Sequence, residues 1–253
     1  MASIVSAFND AFSEKRSFLK IALYAIPVFL CARLFLSGQM NSFYLYGTIT
    51  AVLLFILMTI GINNVRENNQ EILTLHPLKL LLAFIKTAIV VIPQAIFWLG
   101  IAYAITKVIV IPEEIPHANL IFNIVVWSIT GTMVFTAYLS FAKYMEIRDG
   151  YNYQIIFLSC VDVFAALLFY ALQIVLAAAV IVGPFAYVYY YLIHVPFDHW
   201  SFVLLCSLAG VACVSISANY FAQVSYEYIV LSNDRKDDYQ ITKLVDDMDT
   251  SKN

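Results

Sequence analysis

The stretch that decides the fold is Leu80–Thr106, LLLAFIKTAIVVIPQAIFWLGIAYAIT, an apolar run whose one charge is Lys86. A helix needs about 20 apolar residues to cross the hydrocarbon core of a bilayer, because lipid offers its backbone no hydrogen-bond partner. Five further runs qualify: Phe18–Leu36, Phe43–Asn63, Leu120–Ala142, Val163–Val182 and Phe202–Tyr226. Turn-forming text separates neighbours at Ser37-Gly38, Asn68-Asn69, Pro112 to Pro116, Asp149-Gly150 and Pro196 to Asp198. The chain is 62% hydrophobic and 12% charged, with a mean hydropathy of +0.82. Soluble globular domains carry about a quarter charged residues, so that class is excluded. The expected fold is an all-α integral membrane domain of six transmembrane helices over residues 1–231. The polar segment 232–253 is expected to be a flexible cytoplasmic tail.

Cation placement orients the domain. Of the 14 Lys and Arg residues, only Arg33 and Lys107 fall on one set of connections. The other set holds Lys15, Arg16, Lys20, Arg66, Lys79, Lys86, Lys143, Arg148, Arg235, Lys236, Lys243 and Lys252. Cytoplasmic connections retain Lys and Arg, and acidic residues do not follow the rule, so the net charge of -3 is no objection. Both termini are therefore expected in the cytoplasm. On the opposite side, Tyr44, Tyr46, Tyr187, Tyr189, Tyr190, Tyr191 and Trp200 read as an interfacial aromatic belt. Gly183-Pro184 is expected to end or kink the fifth span, leaving Phe185–Ile193 as an outer interfacial segment. The first apolar run is too long for a signal-peptide core and reads as an uncleaved span.

The chain also reads as one unit written three times. The even-numbered spans end on similar text: Arg66-Glu67-Asn68-Asn69-Gln70-Glu71-Ile72, Arg148-Asp149-Gly150-Tyr151-Asn152-Tyr153-Gln154-Ile155, and Arg235-Lys236-Asp237-Asp238-Tyr239-Gln240-Ile241. These turns recur at nearly equal spacing, and an amphipathic stretch follows each of the first two. The N-terminal segment, residues 3–17, plays the same part. Ile4, Val5, Phe8, Ala11 and Phe12 fall on one helical face, with Asn9, Asp10, Ser13 and Glu14 opposite. Each unit is then an in-plane cytoplasmic helix or segment followed by a transmembrane hairpin.

This arrangement resembles a broad group of bacterial integral membrane proteins related to the membrane half of glycerophosphodiester phosphodiesterases. Arg66, Arg148 and Arg235 carry the likeness, which covers most of the chain as a pattern without a distinctive motif. The resemblance implies a bacterial inner (plasma) membrane. The soluble phosphodiesterase domain of that family has no counterpart in the sequence, so the likeness implies no hydrolase activity.

Charges inside spans are costly and therefore mark candidate sites. Asp162 has two readings. If the fifth span begins near Ile155, its carboxylate lies inside the membrane as an ion or proton site. If the span begins near Val163, Ser159-x-x-Asp162 is a helix-start signal. The repeat alignment favours the second. Lys86 and Arg33 can extend toward the headgroups on their own sides. Ser128, Thr132, Thr136 and Ser140 recur every four residues in the fourth span and either line a hydrated path or mediate close helix packing. The small residues of the sixth span mark it as a central, tightly packed helix. Gln94, Asn123 and Gln173 read as interhelical hydrogen-bonding amides.

Cys31, Cys160, Cys206 and Cys213 form no C-x-x-C, so neither a disulfide framework nor a metal motif is indicated. His117 with Glu113 and Glu114, and His194 with Asp198 and His199, are loop clusters whose irregular spacing argues against a metal site. No nucleophile–base pair or phosphate loop is present.

The expectation is a non-enzymatic membrane scaffold or accessory factor without a cofactor or a nucleic-acid partner. Lys15, Arg16, Arg66, Arg148 and Arg235 would contact membrane lipids or other membrane and cytoplasmic proteins. The alternative is a small transporter or channel, with Asp162, Lys86, Ser128, Thr132, Thr136 and Ser140 along a path through the fourth and fifth spans.

Overall fold

The computed structural model describes residues 3–14, 16–67, 72–109, 117–192, 194, 196 and 198–231. A short helix, α1 (Ile4–Ser13), precedes six long ones. These are α2 (Ser17–Leu36), α3 (Met40–Arg66), α4 (Pro77–Val108), α5 (Ala118–Tyr144), α6 (Tyr153–Tyr187) and α7 (Trp200–Tyr228). Each of α2 to α7 is long and apolar enough to cross a membrane, the apolar stretch of α6 being Tyr153–Leu176. Among the described residues there is no strand. Leu81, Leu82, Ile85, Ile89, Ile92 and Ile96 lie exposed along α4, as do Leu168, Phe169, Leu172, Val175 and Leu176 along α6. Water does not tolerate apolar surface on that scale, so hydrocarbon is its solvent. The protein is an all-helical, multi-pass membrane protein.

Five spans begin and end within three residues of their expected limits. The fifth departs from expectation at both ends. α6 starts at Tyr153, where Asn152 Oδ1 accepts from Ile155 N at 3.3 Å and caps the first turn. It then runs through Gly183-Pro184 to Tyr187 and passes into a π turn at Val188–Leu192. Proline fixes a helix-compatible φ and removes a single donor, a loss a long helix can absorb. Gly183-Pro184 therefore does not end the helix. Pro27 and Pro93 likewise sit inside α2 and α4.

α7 packs against α1, α2, α3, α5 and α6, while α4 lies against α3 and α5. The buried face of α7 is built from Val203, Ser207, Val211, Ser215, Ala218, Ala222 and Ser225. Small side chains let neighbouring backbones approach, which is how helices associate where lipid supplies no hydrophobic drive. Gly61 on α3 shows the extreme case. A Cβ there would stand 2.7 Å from Ala218 Cβ and 3.3 Å from Ile72 Cγ2. The turn between α2 and α3 uses Gly38 at φ +73°, where a Cβ would be strained.

Residues 72–76 are not helical, and Ile72, Leu73 and Thr74 are buried. After α5 the chain makes a 3-10 turn, Ile147–Tyr151, and enters α6 directly. The expected separate in-plane stretches before the third and fifth spans are thus absent from the described residues. The first is a buried strap and the second is continuous with α6. α1 is helical, and the alanines of its apolar face turn toward the bundle. Ala7, Ala11 and Glu14 are buried, whereas Val5 and Phe8 are 68% and 47% exposed. Alanines permit the close approach to α7, so docking rotates the larger apolar side chains outward.

The substitution Gly61→Ala should lower stability by about 1–3 kcal/mol through overpacking. Adding Ala218→Gly should restore part of that loss, because the two Cβ atoms compete for one space. Thermal unfolding of the purified protein in detergent measures both, and strictly additive losses would contradict the contact.

Candidate functional site

The ends of the spans that carry most of the cations meet at one end of the bundle. Arg66 closes α3 and is half-buried. Its guanidinium lies 4.5 Å above the Tyr226 ring of α7, and its Nη2 donates to Tyr144 Oη of α5 at 3.1 Å. Stacking on one ring and bonding to a second phenol orient the planar group in two directions. Beside it, Val65, Arg66, Ala222, Gln223 and Tyr226 line a cavity of about 380 Å³.

Gln223 joins that cavity to α1. Its Oε1 accepts from Ser3 N at 2.8 Å, and its Nε2 donates to Ser6 Oγ at 3.0 Å and to Asn219 Oδ1 at 2.8 Å. Asn219 Nδ2 in turn donates to Asp10 Oδ2 at 3.2 Å. The N-terminal helix is therefore held to α7 by amides of α7 together with the alanine contacts.

Two cations are buried nearby. Lys143, 1% exposed, donates from Nζ to Ile229 O at 2.6 Å, drawing the segment after α7 inward so that Ile229 and Leu231 are buried. Asn63 Nδ2 donates to Lys143 O and to Glu67 Oε1, each at 3.3 Å. Lys20 Nζ and Glu14 Oε1 form an ion pair at 2.5 Å, with side chains 6% and 2% exposed. The second carboxylate oxygen of Glu14 accepts from Leu73 N at 3.3 Å, and Tyr24 Oη donates to Thr74 O. The strap after α3 is thus clasped by α1 and α2 together.

The turn after α5 is fastened to α4. Gln94 Nε2 donates to Gly150 O and Trp98 Nε1 to Gln94 Oε1, both at 2.9 Å. Gln94 therefore ties a turn to a span rather than one span to another. Tyr151 Oη donates to Ile89 O at 2.6 Å. Burial, and then the neighbouring Tyr153, push the Tyr151 phenol above its ordinary value.

Of the residues singled out in the sequence, Arg148 and Arg16 are exposed, Arg16 at φ 63° ahead of α2. Lys15 and Arg235 lie outside the described residues, as do Glu113, Glu114 and the segment 232–253. Asp162 is exposed on α6, nine residues beyond the helix start. The helix-start reading of Ser159-x-x-Asp162 is therefore replaced. Ser159 Oγ instead donates to Tyr228 O at 2.8 Å. Lys86 Nζ donates to Met145 O at 3.2 Å, meeting a carbonyl freed where Met145 turns to φ 52°. Thr132, Thr136 and Ser140 are buried, and each hydroxyl donates to the carbonyl four residues earlier at 2.7 to 2.9 Å, Thr132 to that of Ser128. Such back-bonding occupies the hydroxyl proton within its own helix. The structure thus commits Lys86 and the hydroxyl ladder to separate carbonyls and leaves Asp162 on an exposed face of α6.

Among the described residues no group of three or more His, Cys, Asp or Glu side chains could hold a metal ion. His199 accepts from Ser201 N through Nδ1 at 3.4 Å, capping α7. Cys31 Sγ lies 3.1 Å from Thr50 Oγ1, and the four thiols are free.

Sequence reasoning missed the buried partners. Lys143 continues the Thr132-Thr136-Ser140 face, since a residue three positions on shares it, and that was the available signal. The Glu14–Lys20 pair left none, because their spacing crosses a break between helices.

Removing one member of that pair should cost about 3–5 kcal/mol by stranding the other charge. Glu14→Gln should therefore lower the melting temperature sharply, and Glu14→Gln with Lys20→Met should regain most of it. A double variant no more stable than the single would show that the pair is not coupled.

Against this geometry, comparison with known proteins adds no relative: no family model, curated protein or solved structure matches the chain.

Proposed function

We propose that the chain is a non-enzymatic multi-pass protein of the inner (plasma) membrane, both termini cytoplasmic, whose basic end engages anionic lipid headgroups or partner proteins. The observation that carries this reading is the meeting of Arg16, Lys20, Arg66, Lys79, Lys86, Lys143 and Arg148 at one end of six apolar helices. Among the described residues, only Arg33 and Lys107 lie toward the other. Each exposed cation near an anionic leaflet contributes about 1 kcal/mol of attraction. Exposed Val5 and Phe8 on α1 fit the same picture, as an in-plane helix with its outer face in the acyl boundary.

The threefold unit belongs to this proposal too. After α3, α5 and α7 the chain buries residues against the bundle, at Ile72–Thr74, at Asp149-Gly150, and at Ile229 and Leu231. The likeness of the Arg turns to the membrane half of glycerophosphodiester phosphodiesterases supports a bacterial inner membrane in the same way. A path along the fourth and fifth spans is the weaker reading. The ladder hydroxyls already donate within α5, and Gln94 is committed to Gly150 and Trp98.

Orientation is tested by fusing to each end a reporter active on one membrane face only. Cytoplasmic signals are expected from both ends of the full chain. A periplasmic signal from either end would overturn the orientation and, with it, access of the basic end to the cytoplasmic leaflet.

A further inference from the structure

We infer that the N-terminal half of α5 is a self-association surface, against which a second copy of this chain packs its own α5 within the bilayer. Along that half Leu120, Asn123, Ile124 and Trp127 are exposed, and Ser128 and Gly131 are partly so. Leu120, Ile124, Trp127 and Gly131 recur at spacings of four, three and four residues, the seam along which two helices pack together. Three side chains on this face carry hydrogen-bonding groups that the chain leaves unmet. Among the described residues none bonds the Asn123 carboxamide, the Trp127 indole N–H or the Ser128 hydroxyl. Ser128 heads the hydroxyl ladder, yet while its carbonyl accepts from Thr132 Oγ1 at 2.7 Å its own hydroxyl does not join. Trp127 stands nine residues into the 27-residue helix, about 14 Å along its axis and so at hydrocarbon depth. Polar groups that face hydrocarbon without a partner are costly. The exposed runs of α4 and α6 named above are aliphatic or phenyl, and lipid alone satisfies them.

The same face of another copy supplies what is missing. Copies insert in one orientation, so a two-fold axis along the membrane normal sets two α5 helices parallel, with residues of equal number at equal depth. A carboxamide is both donor and acceptor, so Asn123 can bond the partner's Asn123 across that axis. The Trp127 N–H can likewise donate to the partner's Ser128 hydroxyl. A carboxylate or an ammonium could not complement itself in this way. Gly131 permits the close approach such bonds require. A Cβ there would meet nothing within 4 Å, so the space beside it belongs to no neighbour in the chain. Small residues that admit a second backbone, with amides and hydroxyls bonded between helices, are what hold helix pairs together in lipid. The surface is separate from the basic end and extends the functional reading beyond lipid engagement.

Oxidative cross-linking of the full chain in native membranes tests the interface, with wild type as the background for the four native thiols. Asn123→Cys should give a disulfide-linked species of twice the chain mass. Leu172→Cys, on the exposed face of α6, should give no more than wild type. Sedimentation of the purified protein in detergent then measures the monomer–dimer constant. Asn123→Leu should weaken the dimer about tenfold, since two symmetry-related amide bonds are lost at about threefold each. Asn123→Gln keeps the amide and should fall closer to wild type. Gly131→Leu should weaken the dimer at least as much while leaving the melting temperature of the monomer near wild type, which separates assembly from folding. Wild-type protein that stays monomeric in both lipid nanodiscs and detergent would overturn the interface. So would equal cross-linking at Leu172→Cys and Asn123→Cys, or wild-type dimer constants in both Asn123→Leu and Gly131→Leu. A cross-link from Asn123→Cys to a chain of different mass would overturn the second copy as the occupant.

Discussion

The free carbonyls at helix ends set the terms for this structure. The last turn of a helix leaves carbonyls without intrahelical donors, and near a bilayer few waters are available to meet them. Here cations meet two of them: Lys143 bonds Ile229 O beyond α7 and Lys86 bonds Met145 O beyond α5. At the opposite end Arg33 Nη1 bonds a loop carbonyl, Asp198 O, at 3.0 Å. A positive charge at a helix C-terminus also complements the helix dipole. These basic residues thereby hold the connections in place.

That constraint explains why the connections at the basic end are drawn inward. Ile72 to Thr74, Asp149-Gly150, Ile229 and Leu231 are covered by neighbouring helices. Their polar groups find partners there: Leu73 N on Glu14, Gly150 O on Gln94, and Ile229 O on Lys143. Close approach requires small residues where strap and helix meet. A Cβ at Gly150 would stand 2.4 Å from Val90 Cγ1, and Gly61 meets Ala218 and Ile72 in the same manner. The bundle's buried polar network and its small-residue packing are two aspects of one arrangement.

The spans were legible because hydropathy is summed over many neighbours along the chain. The small-residue character of α7 was also a local signal, and that helix packs against α1, α2, α3, α5 and α6. Asp162 was not legible. Whether it opens a helix or lies within one depends on Asn152 capping a turn upstream, a competition between two plausible starts. Arg66, Arg148 and Arg235 read alike, yet Arg66 is bracketed by two tyrosines while Arg148 is exposed. Their difference arises from partners distant in sequence, Tyr144 and Tyr226.

The amino-acid sequence alone determined how many helices span the bilayer and which ends of those spans share a side. Both follow from transfer free energies that each segment carries by itself. Only the tertiary structure decided that α1 turns Ala7 and Ala11 toward α7, that Lys143 reaches a carbonyl beyond α7, and that Arg66 faces a cavity. Those outcomes depend on the rotation and register of packed helices. Side-chain volumes on several elements set them jointly, and no single stretch of the chain encodes them.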